Sequence, residues 1–279
     1  MSEKQTDLRE VFFGLEEYFK FFENEDESLV TRELGKVYNE EDFKAALFAA
    51  YMKIMYMKSR GADTMFRAIN DYIKKGNDIS VLQDAMSRSQ MRSKVWLAEE
   101  LAKIQPNYDN IVLLGGWFGQ LRFILEKSIS FNKLRNVELD VNACEISDYV
   151  FNIMGLENYK IKSVNADVTK LTLHKNGYEW DVENFKDGGK YSEKFAPNLI
   201  INTSAEHMTE EWFFQIKFKQ MESDPIVAIQ SNNLFDIPEH INCVHSIDHM
   251  KKKFPMREIL YEGELQLKGY KRVMLIGRP

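Results

Sequence analysis

The chain has 279 residues, 44% hydrophobic and 29% charged, which excludes a disordered or collagen-like polymer and supplies one large or two small domains. Its formal net charge of -6 argues against a protein built to coat nucleic acid unselectively, while leaving room for a local basic face. Only two cysteines occur, Cys144 and Cys243, so a disulfide scaffold and a four-cysteine zinc site are both excluded. No apolar run approaches the roughly 20 residues that cross a bilayer. Met1 to Glu10 is polar and acidic, unlike a secretory leader. The expectation is a soluble, cytoplasmic protein with no membrane partner; nothing in the chain fixes an oligomeric state.

Residues 1–104 read as helix throughout. Leu8, Val11, Phe12, Leu15, Phe19 and Phe22 recur at helical spacing. Further patterns run from Phe43 to Gly61, from Met65 to Ile73, from Ile79 to Met86 and from Ser93 to Ile104, the last ending before Pro106. Charge is uneven here. Residues 1–28 carry nine acids and three bases, whereas Met52 to Lys94 holds nine Lys or Arg against four Asp. Such a patch suits a phosphate-bearing substrate or RNA, or is a solvated helical face. Within it, Arg92 and Lys94 are candidate substrate contacts. Trp96 either stacks on a ligand or packs into the domain junction.

The texture changes after Pro106, where strand-length apolar runs alternate with helical patterns. Ile111 to Leu114 precedes a glycine turn, and Gln120 to Leu125 reads as helix. Val137, Leu139, Val141 and Ala143 alternate with polar residues, predicting a second strand that ends at Glu145. Tyr149 to Met154 reads as helix and Tyr159 to Val164 as a third strand. Thr169 to Phe195 is polar, with Asn176-Gly177 and Asp187-Gly188-Gly189, a long loop or an extra hairpin. Leu199 to Ile201 and Ile226 to Ile229 are further apolar strands, with Trp212 to Phe218 helical between them. Ile259 to Leu267 and Tyr270 to Ile276, separated by Lys268-Gly269, form a terminal hairpin that adds an antiparallel edge. The expected fold is α/β. A helical N-terminal region over 1–104, a substrate or cap region, precedes a mostly parallel, Rossmann-like sheet over 105–279.

Ligands of such sheets sit outside the carboxyl ends of the strands. Gly115-Gly116-Trp117-Phe118-Gly119 closes the first strand there, but lacks dinucleotide spacing, and no phosphate-loop Lys-Ser or Lys-Thr follows. Glu145 is the acidic residue expected at the second strand tip. Asp140 competes with it from a mid-strand position. Asp167, in Asn165-Ala166-Asp167, lies just past the third strand, where it receives an adenine amino group or caps a turn.

These features resemble the class I S-adenosylmethionine-dependent methyltransferases, from about Asn110 to the C-terminus. The resemblance rests on the glycine turn, Glu145, Asn165 to Asp167, the strand Pro197 to Thr203 and the terminal hairpin. It implies S-adenosylmethionine as cofactor. Gly115, Gly116, Trp117 and Gly119 would meet its amino-acid part, Glu145 the ribose and Asp167 the adenine. Leu114 and the intervening Trp117-Phe118 depart from the family's acidic residue and G-x-G spacing. In that family the fourth strand tip faces methyl group and substrate. Here the tip reads Asn202-Thr203-Ser204-Ala205-Glu206-His207-Met208. Thr203 is thus a cofactor or substrate contact, Asn202 orients an acceptor amine or hydroxyl, and Glu206 or His207 is a candidate general base. Gln230 and Asn232, at the fifth strand tip, suggest a polar substrate wall or a turn. His245 and His249 are four apart but lack a third ligand nearby, so no metal site is expected.

The resulting expectation is methyl transfer from S-adenosylmethionine to a small-molecule or RNA acceptor. Aminocarboxypropyl transfer or lyase chemistry with the same cofactor is a second reading. A non-catalytic scaffold for a protein or nucleic acid is a third.

Overall fold

A computed structural model describes residues 85–153, 160–183, 189–219 and 221–279, and short helical stretches or single positions between 13 and 82. It divides into two compact units, Met1–Glu99 with Arg122–Lys127, and Glu100–Leu121 with Ser128–Pro279. No helix among the described residues is long and apolar enough to cross a membrane.

In the first unit, residues 13–17, 43–47 and 72–74 are helical, and helix α1 spans Arg88–Ile104, crossing into the second unit at its end. Residues 67, 69, 70 and 82 are helical as well; the rest of the helical readings before residue 85, and the basic side chains Lys53, Lys58, Arg60 and Lys75, lie outside the described residues. Glu16 is buried and takes an ion pair from Arg88 at 2.7 Å, whose guanidinium also lies over the Phe13 ring. A buried carboxylate needs such a counter-charge.

The second unit is built on a seven-stranded sheet. Its strands are β1 (Asn107–Leu114), β2 (Ser130–Glu138), β3 (Ile161–Asn165), β7 (Leu199–Asn202), β8 (Ile226–Asn232), β9 (Glu258–Leu267) and β10 (Tyr270–Arg278), in spatial order β3-β2-β1-β7-β8-β10-β9. The β3-β2-β1-β7-β8 part is parallel. Helices α2 (Leu121–Ser128), α3 (Val141–Ile153), α4 (Glu211–Lys219) and α5 (Ile247–Lys253) lie between strands in the chain. Ile111 to Leu114, Leu199 to Asn202 and all of β8 are buried, as expected of strands covered on both faces.

The terminal hairpin adds the expected antiparallel edge: β10 is antiparallel to both β8 and β9 and lies between them, so β9 is the edge strand. One reading needs correction. The second strand is Ser130–Glu138, and the predicted alternation from Val137 onward runs into α3. Leu139 and Val141 are exposed by 69% and 52%, so that alternation never corresponded to one buried face.

The polar stretch after β3 forms a separate antiparallel sheet of β4 (Thr172–His174), β5 (Gly177–Glu183) and β6 (Lys190–Phe195). It is anchored to the main sheet through charge. Arg135, buried in β2, makes a two-pronged ion pair with Glu193 of β6, closest at 2.6 Å, and Trp180 of β5 donates its indole N–H to Glu193 at 2.9 Å. Burial alone would raise the Glu193 carboxyl; the Arg135 bonds and charge, with Trp180, outweigh it and hold the group below its usual value.

Candidate active site

The sheet order reverses between β1 and β7, because β1 leads outward to β2 while the chain returns on its other side at β7. This is the switch point, outside which open sheets of this kind bind their ligands. The glycine turn leaves β1 there. Gly115 has φ +61, and its amide donates to the Val137 carbonyl of β2 at 2.9 Å. Gly116 tolerates no side chain, since a Cβ would fall 2.1 Å from Asn136 Oδ1.

Trp117 follows with φ +49, a left-handed conformation uncommon for an aromatic residue. Its peptide groups are clamped by β2. The Trp117 amide donates to Glu138 Oε2 at 2.9 Å, and Asn136 Nδ2 donates to the Trp117 carbonyl at 2.8 Å. The Trp117 ring stacks on Phe118, with centroids 4.6 Å apart. The bulk between the glycines is therefore folded into an aromatic pair.

Glu138, not Glu145, is the acid at the tip of β2. Its other oxygen accepts the Asp140 amide at 3.0 Å, and its carbonyl accepts the Ala166 amide at 3.0 Å, joining the ends of β2 and β3. Glu145 stands exposed on α3, two turns of chain away from the role foreseen for it. Asp140 starts that helix, accepting the Asn142 amide at 2.8 Å. The predicted strand was set too late, beginning at Val137 rather than Ser130, which put Glu138 near its start instead of at its tip. The signal that finds it is Asp140, a helix-capping residue just past the strand.

Asp167 lies just past β3, as foreseen. Thr169 donates its hydroxyl at 2.7 Å and its amide at 2.9 Å to one Asp167 oxygen, and these bonds hold the carboxyl below its usual range. Lys170 pairs with the other oxygen at 3.1 Å.

Across the switch point, the Ser204 hydroxyl donates to the Gly115 carbonyl at 3.2 Å, tying the β7 tip to the glycine turn. Asn202 is fully buried and shapes the turn itself, accepting the Ser204 amide at 2.9 Å. Thr203 is buried beside it. Ala205–His207 then forms one 3-10 turn. Glu206 points inward and is 2% exposed. One of its oxygens receives Arg272 of β10 at 2.5 Å and Asn232 of β8 at 2.8 Å. Glu206 is thus a paired, buried carboxylate rather than a solvated loop acid. His207 is exposed, with Nδ1 3.2 Å from the Glu239 carbonyl.

Gln230 and Asn232 do not line an open wall. β8 continues through Asn232, Gln230 is fully buried within it, and Asn232 spends its oxygen on the Leu234 amide and the Cys243 thiol. Arg92, Lys94 and Trp96 lie on α1 in the first unit. Arg92 is exposed, Trp96 half-buried, and Lys94 buried with its ammonium on Gln90 at 2.9 Å. His245 and His249 stack on one another at 5.4 Å, but the histidine that gathers with Glu206 and His207 is His240.

No protein-family model matches the sequence, and no curated protein matches it. Solved structures do. The [4+2]-cyclase SpnF superposes with a TM-score of 0.50 at 10% identity, over 69% of this chain and 82% of that one. The two chains share a fold. Other matches include N-methyltransferase NodS from Bradyrhizobium japonicum WM9 with S-adenosyl-L-homocysteine, at TM-score 0.47 and 8% identity over 67% and 87% of the two chains. A methyltransferase from Aquifex aeolicus gives 0.44 and 14% identity over 74% and 97%. A cyclase on this fold means that the architecture alone does not name a reaction.

Proposed function

We propose that the chain binds S-adenosylmethionine at the ends of β1, β2, β3 and β7 and transfers its methyl group to a small-molecule or RNA acceptor. The observation that carries this is Glu138, an acid at the second strand tip, locked to the glycine turn through the Trp117 amide. A carboxylate has about four lone-pair sites. Backbone amides take one on each Glu138 oxygen, which leaves one on each for the two ribose hydroxyls. The donor set therefore fits the cofactor. Gly115, Gly116, Trp117 and Gly119 face its amino-acid part in this reading, and Asp167 its adenine amino group. Glu138 takes the ribose role expected of Glu145.

Bound there, the cofactor supplies a methyl group on a positively charged sulfur. The chain's own contribution is position, since in-line placement of acceptor and methyl group accounts for most of the barrier lowering in such transfers. Thr203 and Ser204 form the floor on the β7 side, and His207 is the polar side chain of that tip that meets solvent. Glu206, committed to Arg272 and Asn232, shapes the edge rather than serving as a mobile base.

Calorimetry with S-adenosylmethionine tests the reading, with Glu138→Gln as the informative variant. Binding by the wild type and its loss in the variant support it. Absence of binding by the wild type leaves the scaffold reading in its place. Mass spectrometry of products then separates the chemistries: adenosylhomocysteine marks methyl transfer, methylthioadenosine marks attack at the aminocarboxypropyl carbon.

A further inference from the structure

Three side chains, two on the turn after β7 and one in the segment after β8, are unaccounted for by cofactor binding alone. Glu206, His207 and His240 each offer a ligand atom, and these atoms lie within 4.8 Å of one another. The two imidazoles meet edge to face, with centroids 4.6 Å apart. Each has its Nδ1 beside a backbone carbonyl, His207 at 3.2 Å from Glu239 and His240 at 3.1 Å from Leu234. A carbonyl oxygen has no proton to give, so Nδ1 carries the ring hydrogen and Nε2 keeps the lone pair. A backbone carbonyl on the far nitrogen is the arrangement that orients metal-binding histidines.

The carboxylate supplies the second observation. Arg272 and Asn232 both bind Glu206 Oε1, which fixes the side chain. The other oxygen, Oε2, is buried and has no hydrogen-bond partner among the described residues. Carboxylate oxygens withdrawn from water ordinarily have a partner. Here the one left over belongs to a group that clusters with two oriented imidazoles.

We propose that Glu206, His207 and His240 bind a divalent transition-metal ion of the zinc type. Two imidazoles with one carboxylate are a zinc or ferrous donor set, whereas magnesium and calcium favour all-oxygen shells. Metal–ligand bonds of about 2.1 Å set donors roughly 3–3.5 Å apart, so binding draws the side chains together by about an ångström. The two rings are one exposed and one half-buried, less confined than Glu206. Three protein donors leave at least one coordination position for an oxygen or nitrogen of another molecule, as in catalytic rather than structural sites. That the position receives the methyl acceptor rests on the methyl-transfer reading; the metal site itself does not.

The full chain, stripped with a chelator, is titrated with Zn²⁺ by calorimetry and with Co²⁺ by visible absorption, without S-adenosylmethionine. About one ion per chain is expected, with a Co²⁺ spectrum of nitrogen and oxygen ligation. His207→Ala and His240→Ala should each weaken binding by about tenfold or more, as loss of a metal-site contact does. His249→Ala, a nearby histidine outside the cluster, should not. The His207 and His240 changes remove no buried charge, and melting curves verify that both variants fold. Failure of the wild type to bind, or binding that survives both variants, overturns the proposal. S-adenosylmethionine titrated into the stripped chain reports the cofactor separately. Metal without cofactor binding sinks only the methyl-transfer reading, and cofactor without metal binding sinks only the metal site.

Discussion

The Trp117 peptide groups are held from both sides, by Glu138 on the amide and Asn136 on the carbonyl. A left-handed φ at an aromatic residue costs about 1–3 kcal/mol and persists only where the surroundings impose it, as these two bonds do here. Glu138→Gln keeps the shape but removes the charge and turns one acceptor into a donor. A hydrogen bond to a charged group contributes about 1.5–3 kcal/mol, so S-adenosylmethionine affinity should fall by about 10- to 100-fold in calorimetry. Glu145→Gln should change it by less than about twofold, as befits an exposed surface change. Gly116→Ala drives a methyl group toward Asn136 Oδ1 and loosens the same clamp. Overpacking of this kind costs about 1–3 kcal/mol, which urea denaturation will show, and cofactor affinity should fall with it. The glycines, Asp167 and the β7 tip were legible in the sequence because turn residues and an apolar run mark them directly. Glu138 was not, because its strand has no simple pattern, and the burial of Glu206 was not, because its partner Arg272 lies 66 residues away.

Strand β2 explains why that pattern was hidden. Leu134, Arg135, Asn136 and Val137 are all buried, so two polar residues occupy the middle of a core strand. Each is bonded to another segment: Arg135 to Glu193 of β6, and Asn136 through its Nδ2 to the Trp117 carbonyl and the Ser147 hydroxyl of α3. Periodicity records apolar residues and cannot see a buried arginine whose partner is in a different sheet. The same pair yields a pH test. The Glu193 carboxyl lies below its unfolded value of about 4.3, so its contribution is present above that pH and is lost as pH falls through the folded value. Stability followed by urea midpoints from pH 7 down to 3 should show this slope. Glu193→Gln should lower stability at neutral pH by about 1–3 kcal/mol, less than a wholly buried pair would lose, and flatten the slope. A wild-type slope retained in the variant would show that other carboxylates account for the acid response.

Taken together, the second unit holds both thiols in its interior. Burial pushes the Cys144 thiol up to about 12, with Glu138 and Asp148 adding to the effect, and burial likewise raises Cys243. Only the thiolate attacks a disulfide reagent. Native protein at pH 8 should therefore react negligibly with such a reagent, and two thiols per chain should appear on unfolding. Fast native labelling would contradict the buried placement. The same unfolding readout detects a ligand: at about 100 times its dissociation constant, S-adenosylmethionine should add about 2.7 kcal/mol to stability. The antiparallel pairing of the terminal hairpin was readable, because Lys268-Gly269 marks its turn. The interior position of β10 was not, because a hairpin's turn shows that two strands pair and not which of them meets the sheet. That position has a consequence for the order of events during synthesis. Glu206 leaves the ribosome well before Arg272, which pairs beside Asn232 only once β10 has entered between β8 and β9. Until then the nascent chain carries Glu206 without the cation that permits its burial. The β7 tip thus stays hydrated until the hairpin docks and completes the sheet.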